Sequence, residues 1–149
     1  MPDITPAERL ASLLNGENPL EIVKMRSGYA VMGDSQYHPG YCLLLAYPMV
    51  SKLNDLDGSA RTAFLEDMAL LGDAVLAATD AVRINYSIYG NLDPFLHAHV
   101  FPRYVDEEFA TMPPMSIPAD VRAAVPYDPA KHDDLRRAIG DFLRDTEPL

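Results

Sequence analysis

Apolar side chains recur along the chain at two spacings. Phe64, Met68, Leu71, Val75 and Ala78 follow one another at steps of four and three residues, which gathers them on one face of a helix. Asp57-Gly58-Ser59 precedes them and offers a carboxylate N-cap. A shorter helix is predicted over 7–14, closed by Asn15-Gly16. A terminal helix is predicted over 129–144, where Asp128-Pro129 combines an N-cap with a first-turn proline and Leu135, Ile139, Phe142 and Leu143 form the apolar stripe.

The second spacing is two. Val82, Ile84, Tyr86 and Ile88 alternate with Arg83, Asn85, Ser87 and Tyr89, the signature of a strand. In 95–101 the same alternation puts Leu96, Ala98 and Val100 on one side and Phe95, His97, His99 and Phe101 on the other. Segments 21–23 and 28–32 also read as strands, and GDSQYHPG (33–40) as a turn. The apolar run 41–47, bounded by Gly40 and Pro48, fits a central strand buried on both faces. Six of the 13 prolines lie between Pro102 and Pro129, which predicts a rigid, extended excursion with at most short helices. There is no internal repeat and no shift in composition, so 1–149 reads as a single domain.

Composition narrows the partners. With 48% hydrophobic and 23% charged residues the chain is an ordinary globular one. Its 22 acidic against 12 basic side chains give a net charge of −10, which repels polyanions and argues against nucleic acid. A small phosphorylated ligand would need local positive charge. The lone Cys42 excludes an intramolecular disulfide, and its apolar setting marks a buried, inert thiol. No apolar run approaches the roughly 18 residues of a membrane span, and MPDITPAERLASLLNG lacks the basic and apolar regions of a signal peptide, so a cytoplasmic protein is expected.

The same-face pair His97 and His99 is the candidate chemistry. Two imidazoles on a strand can be a solvated polar face. They can hold a metal, as in cupin-like His-x-His motifs, but that needs a third ligand. The nearest downstream acids, Asp106, Glu107 and Glu108, come seven to nine residues after His99 and beyond a proline. They can also serve nucleophilic catalysis, one neutral ring nitrogen attacking phosphorus while its neighbour binds or protonates the surrounding oxygens. His38, in a turn, and His132, on a helix, are expected at the surface.

From about residue 26 to 104 the chain resembles a histidine triad (HIT) superfamily protein, whose motif is His-φ-His-φ-His-φ-φ with φ apolar. GDSQYHPGYCLL and GNLDPFLHAHVFPRY are similar to the bacterial diadenosine-tetraphosphate-hydrolase-like branch. Aligned on Pro102-Arg103, His99 takes the third histidine's place, His97 the middle one, and Phe95 the first. The resemblance implies that His97 is the nucleophile and that His99 contacts the α-phosphate and assists the departing group. Phe95 would supply shape but no hydrogen bond. Asp34 would hold the ribose hydroxyls. Asn91 would contact the phosphates, or else be a turn residue tolerating positive φ beside Gly90. Arg103 would be a phosphate contact on the histidine side, or else a structural ion pair.

The implied fold is α+β, an antiparallel sheet of about five strands with a long helix packed on it and a C-terminal helix, paired as a homodimer. The implied activity is hydrolysis at the α-phosphate of a dinucleoside polyphosphate or nucleoside phosphoramidate. Two alternatives are a catalytically weak nucleotide-binding or sensing protein, and a metal-binding structural protein. No resident cofactor is implied, and Mg²⁺ would arrive with the substrate. Because His97 must be neutral to attack, activity is expected to rise with pH through the ordinary imidazole pKa of about 6.5. The segment 105–149 lies outside the resemblance and would either shape the substrate entrance or brace the core.

Overall fold

The computed structural model describes residues 5–146. Five segments pair into one antiparallel sheet: β1 (Glu21–Lys24), β2 (Gly28–Met32), β3 (Cys42–Ala46), β4 (Arg83–Ser87) and β5 (His97–Arg103). The order across the sheet is β1-β2-β3-β5-β4. The first three strands form a meander, after which the chain crosses over in α2 (Gly58–Ala78), lays β4 at the far edge, and returns with β5 between β4 and β3. The expected α+β architecture is therefore present, with α1 (Pro6–Leu14), a short α3 (Ala119–Ala123) and α4 (Pro129–Thr146) completing it.

Alternation in β5 determines what each sheet face does. Leu96, Ala98 and Val100 point into a core shared with Phe64, Leu71 and Val75 of α2 and with Ile139 and Leu143 of α4. The opposite face carries Phe95, which packs with Tyr29, Val31 and Leu45 under Leu10 and Leu13 of α1. Because α1 is short, it covers only part of this face and leaves His97 and His99 beside it. The central strand β3 is buried on both sides, Leu44 in the first cluster and Leu45 in the second. Cys42 is fully buried there, and burial pushes its thiol pKa up, so it is inert as expected. β2 and β3 lie so close that a Cβ on Gly28 would stand 1.9 Å from the Leu45 carbonyl oxygen.

The helix ends follow their local chemistry, with one exception. Thr5 caps α1 in a reciprocal box with Glu8, and Gly16, at φ 70°, lies just beyond the C-cap Asn15. Asp128 Oδ1 accepts from the Ala130 amide at 3.0 Å and caps α4. Asp57 stands at the N-cap position of α2, yet its side chain makes no capping bond. Within α2, Asp67 is fully buried among apolar neighbours, where its Oδ2 accepts from the amide and hydroxyl of Ser27 and its Oδ1 from Arg26.

The strand expected from the alternation in 82–89 is β4; Ile84 and the following Ile88 pack against the core, while Val82 and Tyr86 are exposed. β4 is an edge strand, and the Tyr86 hydroxyl reaches out to lie over Gly72 of α2. Two other expectations need correction. His38 is not at the surface. It is 3% exposed, with its Nε2 3.0 Å from Glu107 Oε2 and its ring edge-on to Phe101. His132 is buried too, its Nδ1 accepting from the Asp128 amide at 2.8 Å. Sequence neighbours could not show either partner, because the chain returns from elsewhere or turns back on itself to supply it.

The proline-rich excursion contains a 3₁₀ turn (Pro114–Ser116) and α3, and is otherwise irregular. It folds back on the turn 33–40: the Gln36 amide donates to Val125 O, the Tyr127 amide to Asp34 O, and the Ser35 hydroxyl to Arg122 O. The C-terminal part therefore both braces the core through α4 and holds the loop that carries Asp34. No helix among the described residues is long and apolar enough to cross a membrane.

Candidate active site

Along β5 the side chains of Phe95, His97, His99 and Phe101 stand in a row, each ring about 5–6 Å from the next. Across β3 the register sets Leu45 beside His97 and Leu43 beside His99. The row borders a cavity of about 300 Å³ whose walls include Arg9 of α1, Asp34, Tyr41 and Leu43. The same two histidines also border a cavity of about 370 Å³ formed with residues 89–93 and Met115. A larger cavity, about 800 Å³, lies beyond Phe101 between β4 and residues 110–115 and includes neither histidine. Size alone favours that third cavity; the chemistry is in the first two.

His97 Nδ1 stands 2.7 Å from the Phe95 carbonyl oxygen. A carbonyl can only accept, so Nδ1 carries the proton and the neutral ring presents its lone pair at Nε2. His99 Nδ1 stands 2.7 Å from the Tyr41 hydroxyl. Burial, then the neighbouring His97 and Arg122, push the His99 pKa down to about 4. His99 is thus neutral across the physiological range.

That shift has a stability consequence. An unfolded imidazole titrates near 6.5, so below that pH the unfolded chain binds a proton that folded His99 refuses. The stabilising contribution is complete above pH 6.5 and is lost as pH falls toward 4. By pH 5 the loss is about 2 kcal/mol, and His38, whose pKa is also lowered by burial, adds in the same direction. Urea unfolding of the wild type and of His99→Gln between pH 7 and pH 5 checks this: the wild type should weaken more steeply than the variant.

Asp34 meets the histidines in the first cavity, its Oδ2 3.0 Å from the Arg9 guanidinium. Ser35 lines the same cavity. Asn91 is exposed and borders the second cavity, and the positive φ in its turn belongs to Gly90. Phe95 is buried, stacked on His97 and offering the ring only its main-chain carbonyl. Arg103 lies on the histidine side, so the alternation survives Pro102. Its guanidinium does not border either histidine cavity, however, and donates to Glu107 at 2.7 Å, Asn85 at 2.7 Å and the Phe109 carbonyl at 2.9 Å. The structure shows the ion pair that is the alternative reading of Arg103. Burial raises the Glu107 pKa, but bonds from Arg103 and the Tyr104 amide outweigh it and hold the carboxylate low.

Two residues of the site had no signal in the sequence. Arg9 is a polar position on a short helix, and Tyr41 opens an apolar run that reads as core. Among the described residues no group of three or more His, Cys, Asp or Glu side chains is placed to hold a metal ion. The metal alternative thus has two candidate ligands in the histidine pair and no third.

Neither a protein-family model nor a curated protein matches the sequence. Solved structures do. A histidine triad protein of Marinobacter aquaeolei VT8 gives a TM-score of 0.75 over 93% of this chain and 94% of that one, at 17% identity. A histidine triad (HIT) protein of Sinorhizobium meliloti 1021 gives 0.73 over 83% and 89%, at 18% identity. Plasmodium falciparum diadenosine triphosphate hydrolase, solved in complex with Cyclomarin A, gives 0.55 over 87% and 79%, at 14% identity. On this backbone likeness the chain has the fold of the histidine triad proteins.

Proposed function

We propose that the chain is a nucleotide hydrolase cutting at the α-phosphate of a dinucleoside polyphosphate or a nucleoside phosphoramidate, through a nucleotidyl intermediate on His97. The observation that carries this reading is the bond from His97 Nδ1–H to the Phe95 carbonyl, which leaves an Nε2 lone pair on a cavity wall beside His99. The fold's likeness to a diadenosine triphosphate hydrolase supports the reaction class.

In this reading Asp34 takes the ribose hydroxyls with the carboxylate oxygen that Arg9 leaves free, and Asn91 reaches the phosphates from the second cavity. His97 Nε2 attacks the α-phosphorus; a nitrogen–phosphorus bond forms and the bond to the leaving group breaks, its electron pair departing with that group. Water then attacks the same phosphorus, the pair returns to Nε2, and a nucleoside monophosphate is released. Two in-line displacements retain configuration at phosphorus. The protein contributes mainly position and charge stabilisation. Mg²⁺ enters as part of the substrate, and the protein works as a homodimer, which sedimentation equilibrium tests directly.

The first test is incubation with diadenosine tetraphosphate and with an adenosine phosphoramidate, followed by product chromatography and intact-mass analysis of neutral-quenched protein. A monophosphate product and an adduct that disappears in His97→Ala are expected. Phe95 in the first histidine's place favours one alternative, a nucleotide-binding or sensing protein. Tight binding with neither product nor adduct would establish that alternative.

A further inference from the structure

Tyr41 is half-buried on the wall of the first cavity, and the only hydrogen bond of its hydroxyl among the described residues is to His99 Nδ1, at 2.7 Å. Its ring is clamped. It lies flat on Phe101, with centroids 3.9 Å apart and planes 3° apart, and a Cβ on Gly33 would come within 2.2 Å of it. Burial also raises the Tyr41 pKa, so the hydroxyl keeps its proton. A phenol is a stronger donor than a neutral imidazole N–H, and an imidazole nitrogen a stronger acceptor than a phenol oxygen, so the hydroxyl donates to the ring. His99 Nδ1 is then the acceptor, and the ring proton lies on Nε2.

The two histidines are thus held in opposite tautomers by different partners. His97 is fixed by a main-chain carbonyl with its lone pair at Nε2, and His99 by a phenol with its proton at Nε2. We infer that Tyr41 is a positioning residue that keeps His99 a neutral Nε2–H donor, and that the site is therefore matched to leaving groups that depart as oxyanions rather than as amines. This rests on the hydrolase reading above.

When His97 displaces a phosphoanhydride, the bridging P–O bond breaks and its electrons go to the oxygen of a departing phosphate. That group is stable as an anion at neutral pH, its second pKa being about 6, and a hydrogen bond from a neutral imidazole suffices for it. Displacing an amine from a phosphoramidate breaks a P–N bond, and the departing nitrogen must gain a proton. An alkylamine with a pKa near 10.4 needs that proton from an acid such as an imidazolium. Around His99 the titratable and charged groups are His97 on its own strand, Tyr41, Tyr89 and Arg122, with Arg9, Asp34 and Asp93 on the walls of the cavities it borders. No carboxylate among the described residues hydrogen-bonds to its ring, Asp34 is paired with Arg9, and burial, His97 and Arg122 all favour the neutral form.

The experiment compares steady-state cleavage of diadenosine tetraphosphate and an adenosine alkylphosphoramidate by the wild type and by Tyr41→Phe. It adds ¹⁵N NMR of the ring nitrogens of His99 in both proteins, assigned with His99→Gln. The wild type should favour the anhydride by at least about 100-fold in kcat/KM and show the His99 proton on Nε2. Tyr41→Phe, which keeps the stacked ring, should lower anhydride kcat about 10-fold with KM little changed and lose the single tautomer. A wild type that forms the His97 adduct yet cleaves the amidate equally well, or shows the proton on Nδ1, overturns the inference and leaves the hydrolase reading standing. Cleavage of neither compound, with no adduct, overturns both.

Discussion

Replacing His97 by alanine is expected to lower turnover by about four orders of magnitude while leaving nucleotide affinity within a few-fold of the wild type. The rate loss corresponds to roughly 5–6 kcal/mol of transition-state stabilisation. In the proposed mechanism it is large because both displacements would depend on a nucleophile already oriented by the Phe95 carbonyl, which water entering the vacated space cannot replace. Affinity is spared because Asp34, Asn91 and the apolar wall of Leu43 and Phe95 remain. His97 is half-buried, and among the described residues its ring hydrogen-bonds only to the Phe95 carbonyl just before β5, so the fold should tolerate the change. Single-turnover kinetics with excess enzyme, paired with calorimetric binding of a non-hydrolysable analogue, separates the two quantities. A variant that kept a tenth of wild-type turnover would mean that water attacks phosphorus directly.

The second large effect concerns stability. Asp67→Ala is expected to destabilise the fold by about 3 kcal/mol, which for a chain of this size lowers Tm by about 10 °C. Asp67 is the fully buried carboxylate of α2, and it accepts from the Ser27 amide at 2.9 Å, the Ser27 hydroxyl at 2.6 Å and Arg26 at 3.3 Å. Alanine leaves the two partly buried Ser27 donors without their acceptor, which costs more than the net value of the bonds themselves. Arg26 suffers less because it is half-exposed and also reaches Glu66. Ser27 immediately precedes β2, so the loss is felt where α2 is tied to the sheet. Thermal unfolding of Asp67→Ala and Asp67→Asn distinguishes the acceptor from the charge, and asparagine, which keeps one acceptor, should cost less.

Much of the architecture was legible in local patterns. The period of two in 95–101 separated the core side of β5 from its chemical side, and the steps of four and three identified the long helix, because each period is a direct consequence of backbone geometry. Burial of Cys42 and the cap at Asp128 followed from neighbouring residues in the same way. Where a side chain's partner is remote, the same reasoning failed. His38 depends on Glu107, and Asp34 on Arg9, across separations that no periodicity records. Asp57 has the right residue type for a cap and makes no capping bond, so even local chemistry yields to the path of the loop.

The sequence by itself determined that one strand presents two imidazoles on a common face, that the apolar residues between them enter a core, and that the strand follows a turn able to carry an acidic side chain. Those properties depend only on the order of residues and the two backbone periods. Tertiary structure alone decided that α1 stops short of the histidines, that Arg103 is committed to Glu107 and Asn85, and that Tyr41 meets His99 across the β3–β5 pairing. Those properties depend on which strands become neighbours, and a hydrogen bond between residues 58 positions apart exists only once the sheet has brought them together.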